Sequence, residues 1–395
     1  MQNFPIDIEA TQKKLDASFF LYDLDAMELH LRSLSTPGIR LWYACKANPL
    51  SRVIDTAAAA GISFDVASEG ELRQVLSRNI QGENILLTGP AKSRSFVETA
   101  LDAGVKTVVL ESIEQAKLVE ELASARNKKI DVLLRLQLQW GTEEKSVLGG
   151  SSTTVFGLDH EGWVRFEKNQ YPHLQVRGVH VFQWGNLLDE ARIDSIWNRI
   201  ADEAMKLSVA LQFPLEILDL GGGLGIPYSA EKKPLQFSLL QESLQSIRTK
   251  SGAKEVWLEL GRYAVGQFGI YVTKILEKKT VREKHFLLCE GGAHHLVRPA
   301  LVGESFPCTA SKGGKSLEKF AVHGPLCTAL DCLGEFALPG DTKPGDCLIF
   351  TQTGAYGFTE SMPYFLCHDL PAELVWNKGK LETVREPLKA SSWLR

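Results

Sequence analysis

The chain has 395 residues, a formal net charge of −4, and 44% hydrophobic against 23% charged residues, the balance of a soluble globular protein with no basic face for nucleic acid or an anionic membrane. That length exceeds one ordinary core and implies two domains, or a large barrel with a smaller partner. No apolar run reaches the roughly 18 residues that cross a bilayer, the N-terminal "MQNFPIDIEATQKKLDASFF" lacks the apolar core of a secretory signal, and seven scattered cysteines with no CxxC pair read as free thiols of a cytoplasmic protein.

From about residue 20 to 265, strand-like runs alternate with helix-like ones. "LWYACKA" precedes "LSRVIDTAAAAG", a helix that ends at Gly61. "SFDVAS" precedes "EGELRQVLSRNI", "NILLTGP" precedes "SRSFVETALDAG", and "TVVLES" precedes "IEQAKLVEELASARN". "DVLLRLQL", "VRGVHVFQWG", "LEILDLGGGLG" and "VWLELGRYAV" complete eight strand candidates. Eight βα units predict a (β/α)₈ barrel over 20–265, with a doubly wound sheet as the rival. Beyond 266, "GIYVTKILEKKTV", "HFLLCEGG", "KFAVHGPLC", "DCLIFTQTGAYG" and "AELVWNKGKLETV" are short strands with Gly, Asn and Lys turns. They predict an antiparallel β domain over 266–395, joined by residues 1–19. Two segments, 140–154 and 305–316, read as loops and candidate lids.

The residues that can do chemistry sit at strand ends, where a parallel barrel builds its site. Lys46 ends the first of these strands, and its pKa can shift to suit Schiff-base chemistry; a plain surface lysine is the alternative. Gly221, Gly222 and Gly223 follow a strand and can bring backbone N–H groups to a phosphate, or form a flexible turn. Glu259 and Arg262 follow another strand: Arg matches phosphate and a carboxylate can hold a pyridine nitrogen protonated, although three apart they can simply pair. Cys327 follows Gly-Pro in "HGPLCTALD" and is a catalyst or a small buried hydrophobe. Tyr356, between glycines in "TGAYGFT", reaches a ligand or caps a turn.

Taken in order, "YACKANP", "FDVASEGEL", "LTGPAK", "LDLGGGLG", "ELGRY", "LVRPAL", "GPLCTALD" and "GAYG" give a chain that resembles, over nearly its whole length, the fold-type III pyridoxal-phosphate decarboxylases, the group of diaminopimelate, ornithine and arginine decarboxylases. The resemblance implies an alanine racemase-like barrel plus β domain, pyridoxal 5'-phosphate as cofactor, no metal, and loss of an amino acid's carboxylate. It implies that Lys46 is the Schiff-base lysine, that Asp65 and Glu71 line the cofactor pocket, and that Gly221, Gly222, Gly223, Arg262 and Tyr356 hold the phosphate. Glu259 resembles the acid on the pyridine nitrogen, Arg298 a substrate-carboxylate arginine, and Cys327 a proton donor supplied by the other subunit. A homodimer with shared sites follows, with a small amino-acid substrate as the partner molecule.

The departures from the family pattern concern the substrate. Relatives have an acid after the cysteine for the substrate's far amine; here Thr328 stands there. An ammonium without its partner costs roughly 3–5 kcal/mol, so the expected substrate lacks a simple distal ammonium. This resembles the "GPLCT" subset that acts on amino-acid conjugates in siderophore and antibiotic pathways, citrate-linked amino acids among them. His294, His295 and Arg298 could meet extra carboxylates, with turn packing the alternative for the histidines. Phe182 takes the place of a histidine that stacks on the cofactor, and His180, two residues earlier on the same strand face, could contribute. Diaminopimelate decarboxylase, an amino-acid racemase and a catalytically dead homologue are the competing readings; Cys327 favours decarboxylation over racemisation.

Overall fold

The computed structural model describes residues 6–140 and 152–394. The first strand, β1 (Phe19–Asp23), stands outside the barrel. The next eight are β2 (Ile39–Ala44), β3 (Ser63–Val66), β4 (Ile85–Leu87), β5 (Thr107–Leu110), β6 (Ile130–Arg135), β7 (Leu174–His180), β8 (Ile217–Asp219) and β9 (Glu255–Leu260). They close in that order into a barrel of parallel pairings, with β9 back on β2. These are the eight strands expected from the alternating pattern, and the doubly wound alternative falls. Polar caps set several of the helices that follow: Ser68, Ser93 and Ser112 accept hydrogen bonds from the N–H groups of Glu71, Phe96 and Gln115. Such caps satisfy donors that a helix start leaves open.

Side chains alternate along a strand, so every second residue of a barrel strand points inward. Trp42, Leu86, Val109, Leu133 and Trp257 form a buried cluster inside it. Below them Arg40 lies 4.4 Å from the Trp42 ring centroid and donates to the Ser63 hydroxyl, the Glu83 carbonyl and the Asn84 amide oxygen. The cation's stem covers aromatic surface while its Nε and Nη2 are hydrogen-bonded, which closes that end of the core. Two residues beyond the apolar layer the same inward positions turn polar: Thr88, Glu111, Arg135 and Glu259. Register partners add Asp65 beside Ala44, His180 beside Arg135, and Asp219 beside His180. The period-two rule therefore stacks a charged layer directly on an apolar one.

The chain divides into two compact units, 28–226 with 233–264, and 1–27 with 227–232 and 265–395. The barrel unit thus begins later than the expected residue 20, because β1 pairs with strands of the other unit. That unit's remaining strands are β10 (Gly269–Val281), β11 (Lys284–Cys289), β12 (Cys308–Ala310), β13 (Leu317–His323), β14 (Cys332–Pro339), β15 (Cys347–Thr351), β16 (Ala372–Asn377) and β17 (Lys380–Arg385). The main path runs β14-β13-β11-β10-β1-β16-β17, with β15 pairing both β10 and β12. The sheet is mixed rather than purely antiparallel, since β1 runs parallel to β16 and β11 to β13. Phe19, Leu21, Ile270, Val272, Cys347, Ala372 and Leu374 form its core, and Ile8 and Leu15 of the helix Ile8–Leu15 pack on it. Of the two expected loops, 305–316 contains β12, and 141–151 lies outside the described residues. Among the described residues, no helix is long and apolar enough to cross a membrane.

Candidate active site

Lys46 sits in a short 3₁₀ turn, Cys45–Ala47, at the end of β2. Cys45 and Ala47 are buried while Lys46 is exposed, as the inward set 40, 42, 44, 46 requires at a barrel mouth. Its amine lies 5.0 Å from the Phe182 ring centroid, and its charge acts on three carboxyls, Asp65, Glu71 and Glu259. Asp65 is buried and accepts from the Thr88 hydroxyl at 2.5 Å. Burial, and then the charge of Glu259, push its carboxyl up to about 8 against the pull of Lys46 and Thr88. Glu71 accepts from the Ala67 N–H at 2.6 Å, and burial raises it too.

Glu259 behaves oppositely. Burial works against its charge, but His180, Lys46 and Arg135 hold the carboxyl below the usual range. His180 is 1% exposed, and its Nε2 lies 2.9 Å from Glu259 Oε1. The carboxylate can only accept, so Nε2 carries the hydrogen. Asp219, fully buried beside this pair, is pushed well up by burial and by Glu259. One Asp219 oxygen accepts from the Gly221 N–H at 2.9 Å; the other, and His180 Nδ1, are buried without a hydrogen-bond partner. The cluster therefore concentrates its negative charge on Glu259.

The glycine run follows β8. A Cβ on Gly221 would fall 2.4 Å from the Val181 carbonyl, and one on Gly222 would fall 2.5 Å from the Glu259 carbonyl and 3.3 Å from the Phe182 ring. Gly221 and Gly223 also take positive φ, 68° and 108°, which only glycine adopts cheaply. The run is thus a close-packed backbone shelf under Phe182 rather than a loose turn. Arg262 lies just past the end of β9 and is half-buried.

The other unit gathers the remaining candidates. Ala293, Val297 and Leu326 form a small core on which Ala300 and Met362 pack, so the segments of His294, Arg298, Cys327 and Glu360 converge. Asp331, 1% exposed, accepts from the N–H groups of Ala293 and Leu326, each at 2.6 Å. That clasp fixes the turn bearing exposed Cys327 and half-buried Thr328. Tyr356 takes the left-handed conformation, φ 55°, between Ala355 and Gly357. Arg298 opens the helix Arg298–Val302. His295 spends both ring nitrogens, on the Tyr271 hydroxyl and the Asp369 carbonyl, each at 2.9 Å. Burial first, then neighbouring imidazoles, push His294 down to about 2; burial pushes His295 down to about 4. Both are neutral at ordinary pH and offer no cation to a carboxylate, so the packing alternative describes them better.

Residues 26–266 match the family model described as the pyridoxal binding domain of pyridoxal-dependent decarboxylases. The chain belongs to this family. The decarboxylase is 30% identical to the L-glutamyl-[BtrI acyl-carrier protein] decarboxylase of Niallia circulans, covering 96% of this chain and 93% of that one. It is 26% identical to a 2-[(L-alanin-3-ylcarbamoyl)methyl]-2-hydroxybutanedioate decarboxylase of Staphylococcus aureus, over 89% and 92% of the two chains. Its fold matches that of diaminopimelate decarboxylase from Helicobacter pylori with a TM-score of 0.88 over 98% of both chains, at 21% identity. The cofactor is pyridoxal phosphate, as the family requires.

The sequence reading passed over part of the decarboxylase's charged layer. Arg135 pairs with Glu111 at 2.7 Å, both buried, and also donates to the Phe182 carbonyl at 3.2 Å. Glu111 accepts in turn from the Gly157 N–H at 2.7 Å. Lys92, buried, donates to the Gly89 carbonyl at 2.7 Å and to Gln115 Oε1 at 3.1 Å; burial brings its amine down to about 7. The signal was present: Glu111 and Arg135 each lie two positions past an inward apolar residue.

Proposed function

We propose that this enzyme removes the α-carboxylate of an amino-acid conjugate whose far end bears no simple ammonium, a citrate-linked siderophore intermediate being the leading candidate. The observation that carries the reading is Thr328, uncharged, directly after the exposed Cys327. The two relatives whose printed names describe conjugates, one on an acyl-carrier protein and one joined through a carbamoyl group to a hydroxybutanedioate, support it. The runner-up is diaminopimelate decarboxylase, the activity of a Bacteroides thetaiotaomicron relative 26% identical over 93% of this chain; Arg298 favours it and Thr328 opposes it.

The barrel mouth fits the cofactor: an amine among carboxyls, an apolar ring face, a glycine shelf and a buried anion. In this reading Lys46 holds the aldehyde, with Asp65 and Glu71 beside its amine. Phe182 offers the flat face, Arg135 fixing it through its carbonyl. Gly221, Gly222, Gly223, Arg262 and Tyr356 take the phosphate. Bound pyridoxal phosphate supplies the sink for the electrons left when carbon dioxide departs. Glu259, kept anionic by His180, would be the residue that pairs with the cofactor's ring nitrogen and would favour its protonated form. The Cys327 thiol would supply the proton that replaces the lost carboxylate, and Lys46 would hold the cofactor between turnovers.

We assign that thiol to a second copy of the chain. Cys327 is exposed, and large apolar side chains near the same small core are exposed with it: Leu301 at 63%, Leu330 at 56% and Tyr364 at 62%. Such a patch is what a partner protomer covers. Carbon dioxide release from a panel of citryl-amino acids, γ-glutamyl amides and thioesters, and meso-diaminopimelate tests the substrate class. Release from conjugates is expected; strong release from meso-diaminopimelate with none from any conjugate overturns the reading.

A further inference from the structure

Arg298, the residue expected to bind a substrate carboxylate, already has one beside it. Among the described residues, Glu360 is the carboxylate in ion-pair range of its guanidinium, with Nη1 and Oε2 3.5 Å apart. Glu360 ends the short 3₁₀ turn Phe358–Glu360 and is specific to that turn, not to the arginine's own helix. Arg298 is 8% exposed, and Tyr228 lies under the guanidinium at 5.9 Å. The separation exceeds the 2.7–3.2 Å of a closed N–H···O bond, and Glu360 Oε2 is a buried atom with no hydrogen-bond partner. Donor and acceptor thus stand side by side without satisfying one another.

A guanidinium beside a carboxylate oxygen that has no hydrogen-bond partner is complementary to an amide. The carbonyl oxygen takes the guanidinium N–H, and the amide N–H goes to the carboxylate. A free carboxylate at the same place meets Glu360's like charge, and a thioester has no N–H to give. Ala300 and Met362, each two positions on from Arg298 and Glu360, pack on the same core as Leu326, the residue before Cys327. The pair therefore stands beside the turn that carries the proton donor.

We propose that Arg298 and Glu360 together read a neutral amide linkage in the substrate, and that Glu360 excludes a free second carboxylate. This rests on the conjugate-decarboxylase reading and narrows it to amide-linked conjugates. Glu360 is then a specificity-determining residue, acting by repulsion as much as by attraction. A site with a group placed to pair with a substrate N–H discriminates strongly against ligands that lack it.

The test uses the holoenzyme, wild type, Glu360→Ala and Glu360→Gln, with γ-N-ethylglutamine and glutamate as paired probes. Binding is read from the change in the bound cofactor's visible spectrum, which registers ligands whether or not they react. Wild type is expected to prefer the amide by about tenfold or more. Glu360→Ala is expected to tighten glutamate and weaken the amide, each by about tenfold, so that the preference reverses; Glu360→Gln, uncharged but still an acceptor, tightens glutamate while keeping most amide affinity. An unchanged ratio in both variants, or no binding of either probe to any of the three proteins, overturns the proposal. Carbon dioxide release by wild type from conjugates is scored separately, so the broader reading can stand while this one falls.

Discussion

Asp65 and Glu259 carry the same functional group, yet the barrel drives them in opposite directions. Asp65 is held up by burial and by Glu259's charge, while Glu259 is held down by His180, Lys46 and Arg135 in spite of burial. The difference is one of neighbours, not of depth. Lys92 shows the cost of a cation placed in this layer with only neutral acceptors, the Gly89 carbonyl and the Gln115 amide. Its folded-state pKa is depressed from 10.5 to about 7. Across that window the unfolded chain binds a proton that the folded chain does not, so stability rises with pH, and the penalty is complete below the folded value. Lys92→Met removes the titration. Its melting temperature relative to wild type is expected to climb as pH falls from about 10 to about 6, each tenfold change in proton affinity being worth roughly 1.4 kcal/mol. Thermal unfolding by circular dichroism at several pH values measures this; a difference that does not vary with pH would contradict it.

At the scale of elements, the turn carrying Cys327 owes its shape to Asp331. Two buried backbone N–H groups from separate segments, Ala293 and Leu326, end on its two oxygens. Hydrogen bonds to a charged group are worth about 1.5–3 kcal/mol each, so Asp331→Ala is expected to cost about 3–6 kcal/mol. Hydrogen exchange should quicken around residues 291–297 and 324–331 with the barrel unaffected; unaltered exchange there would show that the clasp is idle. Asp331 was invisible in the sequence, because nothing in "GPLCTALD" marks an acid that reaches back some forty residues. The eight barrel strands were legible, because most of the apolar runs were followed by a helical period and several by a capping serine. β1, β12 and β14 were not: β1 is a short run with no alternation, β12 has three residues, and β14 carries Gly334 at φ 137°. The parallel pairings of β1 and β11 are tertiary choices that no local pattern encodes. Lys46, the glycine shelf and Glu259 were legible from their strand-end positions, whereas the Arg135–Glu111 pair and Glu360 needed the registers and turns of the folded chain.

For the whole molecule, the proposed function would divide the labour: the barrel unit carries Lys46 and Glu259, and the other unit carries Cys327. The barrel can be read as a stack, with the Arg40 closure below, an apolar layer in the middle and a charged layer at the mouth. The second unit builds its own small core under the turn that bears Cys327 and leaves Leu301, Leu330 and Tyr364 exposed. The proposed account joins these across two protomers, so that neither chain alone completes a site. Mixing two inactive enzymes, Lys46→Ala and Cys327→Ala, tests it most directly. Random exchange of subunits makes about half of the dimers mixed, each with one intact and one doubly substituted site, so carbon dioxide release should recover to about a quarter of the wild-type rate. Mixed dimers that form, as tagged co-purification would show, but stay inactive would contradict it.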